Sequence, residues 1–244
     1  REMLTLIEAV TEAAARLDAQ PDAAIPCLAT ALAGAARLQF SRFFLTLPAL
    51  ASRLCQLALD AGIEPEFVRS TIRDRHLVPP DPTRADWPWP LRVQVLGELA
   101  LWRDGLPLRS EGKAQRKPRE LLALLAAHGG GPLDAEFIID ALWPSLDADA
   151  PRASLEMAVS RLRKLLDLPD AVAVVEGAVS LVPARVWIDA AAFETLAEQL
   201  QAGLAEGRPA AVLAPLADRL LELYRDRLLG SETLAGPMRL ARER

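Results

Sequence analysis

The chain has 244 residues, 51% of them apolar and 25% charged, with a formal net charge of −5. That length allows two or three small domains with packed cores, and the acidic balance excludes a protein that coats nucleic acid indiscriminately, since phosphate binding needs dense Lys and Arg. Apolar runs are broken by charge before the roughly 20 residues of a membrane span, and the N-terminus lacks the order of a signal peptide, so a cytoplasmic protein with no membrane partner is expected.

A chain that opens on Arg1 rather than Met is expected to be a piece of a longer protein. Its first 80 residues are rich in Ala and Leu, and Pro21, Pro48 and Pro65 stand where helices start. The spacing predicts four helices, over about Leu4–Leu17, Asp22–Leu38, Pro48–Ala61 and Pro65–His76, joined by short turns as in helical (TPR-like) repeats. Residues 81–90 read as a linker. Pro79-Pro80-Asp81-Pro82 and Trp87-Pro88-Trp89-Pro90 place proline too densely for helix or sheet, and the two tryptophans are large enough to call for partial burial against a neighbouring domain.

From Leu91 the period changes to two, opening a domain read over residues 91–183. Leu91, Val93 and Val95 alternate with Arg92 and Gln94, Leu99 and Leu101 precede the Asp104-Gly105 turn, and Leu106 to Leu108 adds a third strand. Helices are predicted over Pro118–His128, stopped by Gly129-Gly130-Gly131, and from a cap at Asp134 to Trp143, ended by Pro144. A third runs from about Pro151 to Leu166, and Ala171–Val175 and Ala178–Val182 flank Glu176-Gly177 as a hairpin. Strands, three helices and a hairpin in that order make a winged helix. Over residues 184–244 the pattern is helical again: Asp189 caps Ala190–Ala205, a second helix covers Pro209–Leu229, and a shorter piece follows. Phe193, Leu196 and Leu200 face Leu213, Leu216, Leu220 and Leu223 as a helical hairpin. The expected fold class is mainly α with small β elements, a winged helix-turn-helix flanked by helical-repeat segments.

The third helix of the winged domain has two faces. Leu155, Val159, Leu162 and Leu166 recur at helical spacing, while Arg152, Ser160, Arg161 and Lys164 point elsewhere. Arg161 and Lys164 face away from the stripe and are the leading candidates for guanine O6 and N7; Ser160 and Met157 on the same side suit a hydroxyl contact or a thymine methyl. Arg163, nearer the packing flank, suits a phosphate. A second basic cluster, Arg109, Lys113, Arg116, Lys117 and Arg119, precedes the first helix, where cations oppose the helix dipole and so require an external reason. Arg116, Lys117 and Arg119 are read as a phosphate clamp beside exposed backbone N–H groups, with a solvated loop as the equal alternative.

Little supports catalysis or a cofactor. Cys27 and Cys55 are isolated core thiols without a CxxC, and only His76 and His128 are available for general-base or zinc chemistry. Gly105 to Ala114 does not make a phosphate loop, because the spacing to Gly112-Lys113 is wrong and Ala114 replaces the magnesium-binding hydroxyl.

Several words, in order, resemble the SARP family of bacterial transcriptional activators, which joins an OmpR-like winged helix to a bacterial transcriptional activation domain. They are Val95-Leu96-Gly97 with Asp104-Gly105, Arg116-Lys117-Pro118-Arg119-Glu120-Leu121-Leu122, Ala141-Leu142-Trp143-Pro144, and above all Val159-Ser160-Arg161-Leu162-Arg163-Lys164-Leu165. Trp187-Ile188-Asp189 with Phe193, and Leu223-Tyr224-Arg225 with Leu228-Leu229, resemble the opening and second helix of the activation domain. Phe67-Val68-Arg69, Ile72-Arg73 and the Trp-Pro junction resemble the sensor arm of MalT-like regulators, which implies an upstream nucleotide-binding domain, and an activation domain cut short at Arg244. The family's Gly-Tyr-Arg-like wing end is replaced by Glu176-Gly177-Ala178-Val179-Ser180-Leu181, so the wing is expected to supply packing or one Ser180 hydrogen bond. The missing glycine in Leu223-Tyr224-Arg225-Asp226-Arg227 implies a continued helix there.

The resemblance implies a sequence-specific activator's output region that reads double-stranded promoter DNA with the helix at 151–166. It also implies contact with RNA polymerase and self-association on direct repeats. A helical scaffold that binds only protein through a degenerate winged helix is the alternative, favoured by the acidic balance and the missing wing arginine.

Overall fold

Proline opens three of the first four helices in the computed structural model, which describes residues 2–40, 42, 47–108, 116–144 and 150–230. After α1 (Glu2–Arg16), helices α2 (Pro21–Arg37), α3 (Pro48–Asp60) and α4 (Pro65–Arg75) each begin on the residue whose missing N–H has no intrahelical acceptor to lose. Each helix packs on its chain neighbour. Their buried faces mix leucines with Ala13, Ala31, Ala51 and Ala58, whose small side chains let the backbones approach. Cys55 is buried among them, and burial pushes its thiol up to about 12, so it stays protonated as a small apolar group. These four helices form one unit, Arg1–Pro82; the second runs from Thr83 to Arg244.

In the second unit the strands β1 (Leu91–Gln94), β2 (Ala100–Arg103) and β3 (Leu106–Pro107) are followed by α5 (Arg116–Ala127), β4 (Leu133–Asp134), α6 (Ala135–Leu142) and α7 (Ala150–Leu166). Then come the hairpin β5 (Val172–Val175) and β6 (Ala178–Leu181), β7 (Val186–Ile188), α8 (Asp189–Ala205) and α9 (Ala210–Leu223). Leu121, Leu122, Leu124 and Leu125 of α5 share one core with Ile138 of α6, with Leu155, Val159, Leu162 and Leu166 of α7, and with Val172 and Val179 of the hairpin. Each fully buried leucine there contributes about 1.5–3 kcal/mol of transfer free energy. That burial fixes which side of α7 is left outside.

Two sheets frame the three helices. One has the order β3-β2-β1-β7, with β7 parallel to β1, and the other β4-β6-β5. The hairpin turns through Glu176 and Gly177, both at positive φ, as a two-residue turn matched to strand twist requires.

Four sequence expectations are corrected here. Asp134 occupies the N-cap position of α6 but its side chain makes no cap hydrogen bond; β4 pairs with β6 instead, and the Ala135 N–H donates to Gly177 O at 2.9 Å. Val186–Ile188, where no strand was anticipated, joins β1 with Leu91 opposite Val186 and Val93 opposite Ile188. Gly130 makes room for it: at φ +79° a Cβ there would lie 2.6 Å from Ile188 Cδ1, so the glycine run that stops α5 also admits β7. Asp189 is the first residue of α8 rather than a simple cap. Its buried carboxylate accepts the N–H groups of Val95 (2.8 Å), Leu96 (3.0 Å) and Ala190 (2.8 Å), joining the end of β1 to the start of α8.

The fourth correction concerns the end of α9. The helix does not continue through Arg227: it stops at Leu223, and Tyr224 takes an extended conformation. The chain is drawn off by the end of β1 and the residues just after it, where Gly97 N–H donates to Arg227 O at 3.1 Å, Leu229 N–H donates to Val95 O at 2.6 Å, and Arg225 Nη1 donates to Gln94 Oε1 at 3.0 Å. Trp87 and Trp89, expected to be partly buried, are buried almost completely, and Trp89 Nε1 donates to Arg84 O at 2.8 Å. The C-terminal piece expected beyond the second helix lies outside the described residues.

Candidate nucleic-acid interface

Burial sorts the residues of α7 cleanly. Leu155, Ala158, Val159, Leu162 and Leu166 are buried, whereas Arg152, Ala153, Glu156, Met157, Ser160, Arg161 and Lys164 are exposed. Met157, 52% exposed, is a large apolar side chain held in solvent between cations. Of the sequence candidates on this helix, Arg152, Met157, Ser160, Arg161 and Lys164 therefore share one outward surface. Two exposed residues on the same surface were not anticipated, Ala153 and Glu156; alanine is too small to stand out in a stripe, and a carboxylate was not sought among cations.

Arg163 sits differently. It is partly buried, and its Nε and Nη2 donate to Val172 O at 3.2 and 2.8 Å, tying α7 to the hairpin. Between them runs a groove of about 470 Å³, bordered by Arg152, Glu156, Ser160 and Arg163 on the helix and by Val174 and Val179 on the hairpin. Ser180 lies in the hairpin stem opposite Ala173, partly buried, and is not among the groove's lining residues. The turn itself presents Glu176 beside exposed Val174 and Val175. Among the described residues, the turn Val175-Glu176-Gly177-Ala178 itself contains no cation.

The C-terminal end of α7 is held from the first sheet. Arg103, at the end of β2, donates through Nη1 to Leu166 O at 3.1 Å and to Asp167 O, and pairs with the Asp167 carboxylate at 2.6 Å. A guanidinium there meets carbonyls that lack intrahelical donors and lies at the negative end of the helix dipole.

The second cationic group is largely committed to its own helix. Glu120 accepts from Arg116 Nε at 2.7 Å and from Lys117 Nζ at 2.8 Å; Lys117 also donates to Leu142 O at 2.6 Å and lies over the Trp143 ring, 5.4 Å from its centroid. Burial pushes the Glu120 carboxyl up, but hydrogen bonds from Lys117 and Arg116 outweigh it and hold the group below the usual carboxylate range. Lys117 thereby fastens α5 to the end of α6. Arg116 is 81% exposed despite its pairing, and Arg119 is partly exposed on the next turn. Arg109 and Lys113 lie outside the described residues.

The described residues contain no group of three or more His, Cys, Asp or Glu placed to hold a metal ion, and no helix long and apolar enough to cross a membrane. His128 packs edge-on against Phe137, with ring centroids 5.5 Å apart.

Residues 110–178 match the family described as "Transcriptional regulatory protein, C terminal". The chain is 40% identical over 77 residues to the regulatory protein AfsR of Streptomyces coelicolor, covering 32% of this chain and 8% of AfsR. It is 38% identical over 72 residues to the transcriptional regulatory protein EmbR of Mycobacterium tuberculosis, covering 30% of this chain and 18% of EmbR. A solved structure of M. tuberculosis EmbR in complex with a low affinity phosphopeptide aligns with a TM-score of 0.46 at 27% identity, over 57% of this chain and 37% of that one. The chain thus spans less than a fifth of these two curated relatives. The matched stretch, residues 110–178, takes in α5, α6, α7 and β5, so the central domain is similar to the C-terminal domain of these transcriptional regulatory proteins.

Proposed function

We propose that this chain is the output region of a transcriptional activator and that α7 enters the major groove of promoter DNA. The observation that carries the reading is the outward surface of α7, where Arg152, Ser160, Arg161 and Lys164 surround an exposed Met157 while the leucines behind them are buried. A helix anchored on one side and cationic on the other has the width and the donors that the major groove accepts. Arg161 and Lys164 are assigned to base edges or adjacent phosphates, and Ser160 and Met157 to a hydroxyl contact and a thymine methyl. Arg116 and Arg119 remain the proposed phosphate contacts near α5, whereas Lys117 and Arg163 act within the fold. Residues 1–80 form the proposed sensor arm, and residues 184–244 the start of an activation domain. By the family resemblance, the activator sits as neighbouring copies on direct repeats and touches RNA polymerase.

A mobility-shift series on promoter fragments tests this directly. Specific retention is expected, with a log–log salt dependence that becomes shallower by about one in Arg161→Ala and again in Lys164→Ala. Loss of retention at every salt concentration would leave the scaffold reading, for which Glu176 at the hairpin tip and the net charge of −5 speak.

A further inference from the structure

Glu156 carries the wrong charge for a surface that meets phosphate. It is exposed in the N-terminal half of α7, with Arg152 one turn before it and Ser160 one turn after it, on the flank bordering the groove to the hairpin. Arg163 on the same flank is occupied by Val172 O, and no hydrogen bond or ion pair is recorded for the Glu156 carboxylate among the described residues. A carboxylate brought into the major groove stands between two lines of phosphates. A donor on a base edge compensates that repulsion with base selectivity, and the groove offers two, the amino groups of cytosine N4 and adenine N6. Adenine sets its N7 acceptor beside N6, and an ionised carboxylate has no proton for it; cytosine sets no acceptor of its own there.

We infer that Glu156 selects a cytosine in the operator by accepting from its N4 amino group, and that its charge lowers affinity for sequences lacking that base. The inference rests on the reading of α7 as a major-groove helix. It makes Glu156 a discriminator, acting as much by rejecting wrong sequences as by binding the right one.

Selection from a randomised duplex library with the 244-residue chain tests it, comparing the wild type with Glu156→Gln and Glu156→Ala. One position of the wild-type motif should be cytosine, preferred by roughly tenfold. Glu156→Gln should change that position to adenine, because an amide can meet N6 and N7 together, and leave the others as they were. Glu156→Ala should make the position degenerate and retain random duplex several-fold more tightly at low salt. Since Glu156 is exposed, the three proteins should share one melting temperature. The same motif from wild type and Glu156→Gln would overturn this inference alone. The absence of any motif from the wild type would overturn it together with the reading of α7.

Discussion

Lys117 and Arg163 have the positions in the sequence that a phosphate contact would have, yet each holds a carbonyl of its own fold, Leu142 O and Val172 O. A sequence displays the charge of a side chain but not what lies within its reach, and both acceptors come from elements the chain returns later. Glu120 is the corresponding anion, and its lowered pKa has a consequence with a definite sign. Its ionised form contributes stability above the ordinary carboxylate value of about 4.3, and that contribution is lost as pH falls through the lower folded value. The stability difference between wild type and Glu120→Gln, read by urea unfolding, should be present at pH 7 and close as the pH falls through the lowered carboxylate value. A difference independent of pH would remove the ion-pair account. Glu156 and Ala153 are the opposite case: their exposure follows from the helical period already visible in the leucines, but neither an acidic nor a methyl side chain carries a local sign of DNA contact.

At the scale of the element, α7 is oriented by contacts at both its side and its end. Its stripe of leucines was legible because i, i+3 and i+4 spacing is a local property, and the buried positions are those the period assigns. The end contact was not legible, since Arg103 lies on β2, 63 residues before Leu166. Removing that guanidinium leaves the last carbonyls of α7 without their donor. Arg103→Ala is expected to cost about 1–2 kcal/mol in thermal unfolding, the side chain being only partly buried. It should also weaken DNA binding with the salt slope unchanged, because Arg103 positions the helix without meeting phosphate. A shallower slope would instead make it a phosphate contact.

The second unit as a whole is more continuous than the sequence divides it. A boundary after Pro183 follows from the return of helical periodicity, but β7 lies beyond it and completes the first sheet, and Asp189 on α8 accepts the Val95 and Leu96 N–H groups. Burial raises the Asp189 carboxyl against the pull of its three N–H donors, so charge and contact are both specific to this junction. A piece ending at residue 183 loses β7, the Asp189 acceptor and the pairing of 95–97 with 227–229. Such a piece, residues 91–183, should melt about 10 °C or more below residues 83–230 in calorimetry, since each kcal/mol is worth roughly 4–8 °C in a domain of that size. Equal melting would show the junction to be incidental. The sequence by itself determined the helices, the hairpin and its Glu176-Gly177 turn, and the two faces of α7, because period, capping and turn chemistry act over a few neighbouring residues. Only the tertiary structure decided that Val186–Ile188 is a strand, that the chain leaves α9 at Leu223, and which cations are tied down. Those outcomes depend on partners as far as 131 residues away, and the backbone N–H groups just after β1 donate to whatever acceptor the folded chain brings to them.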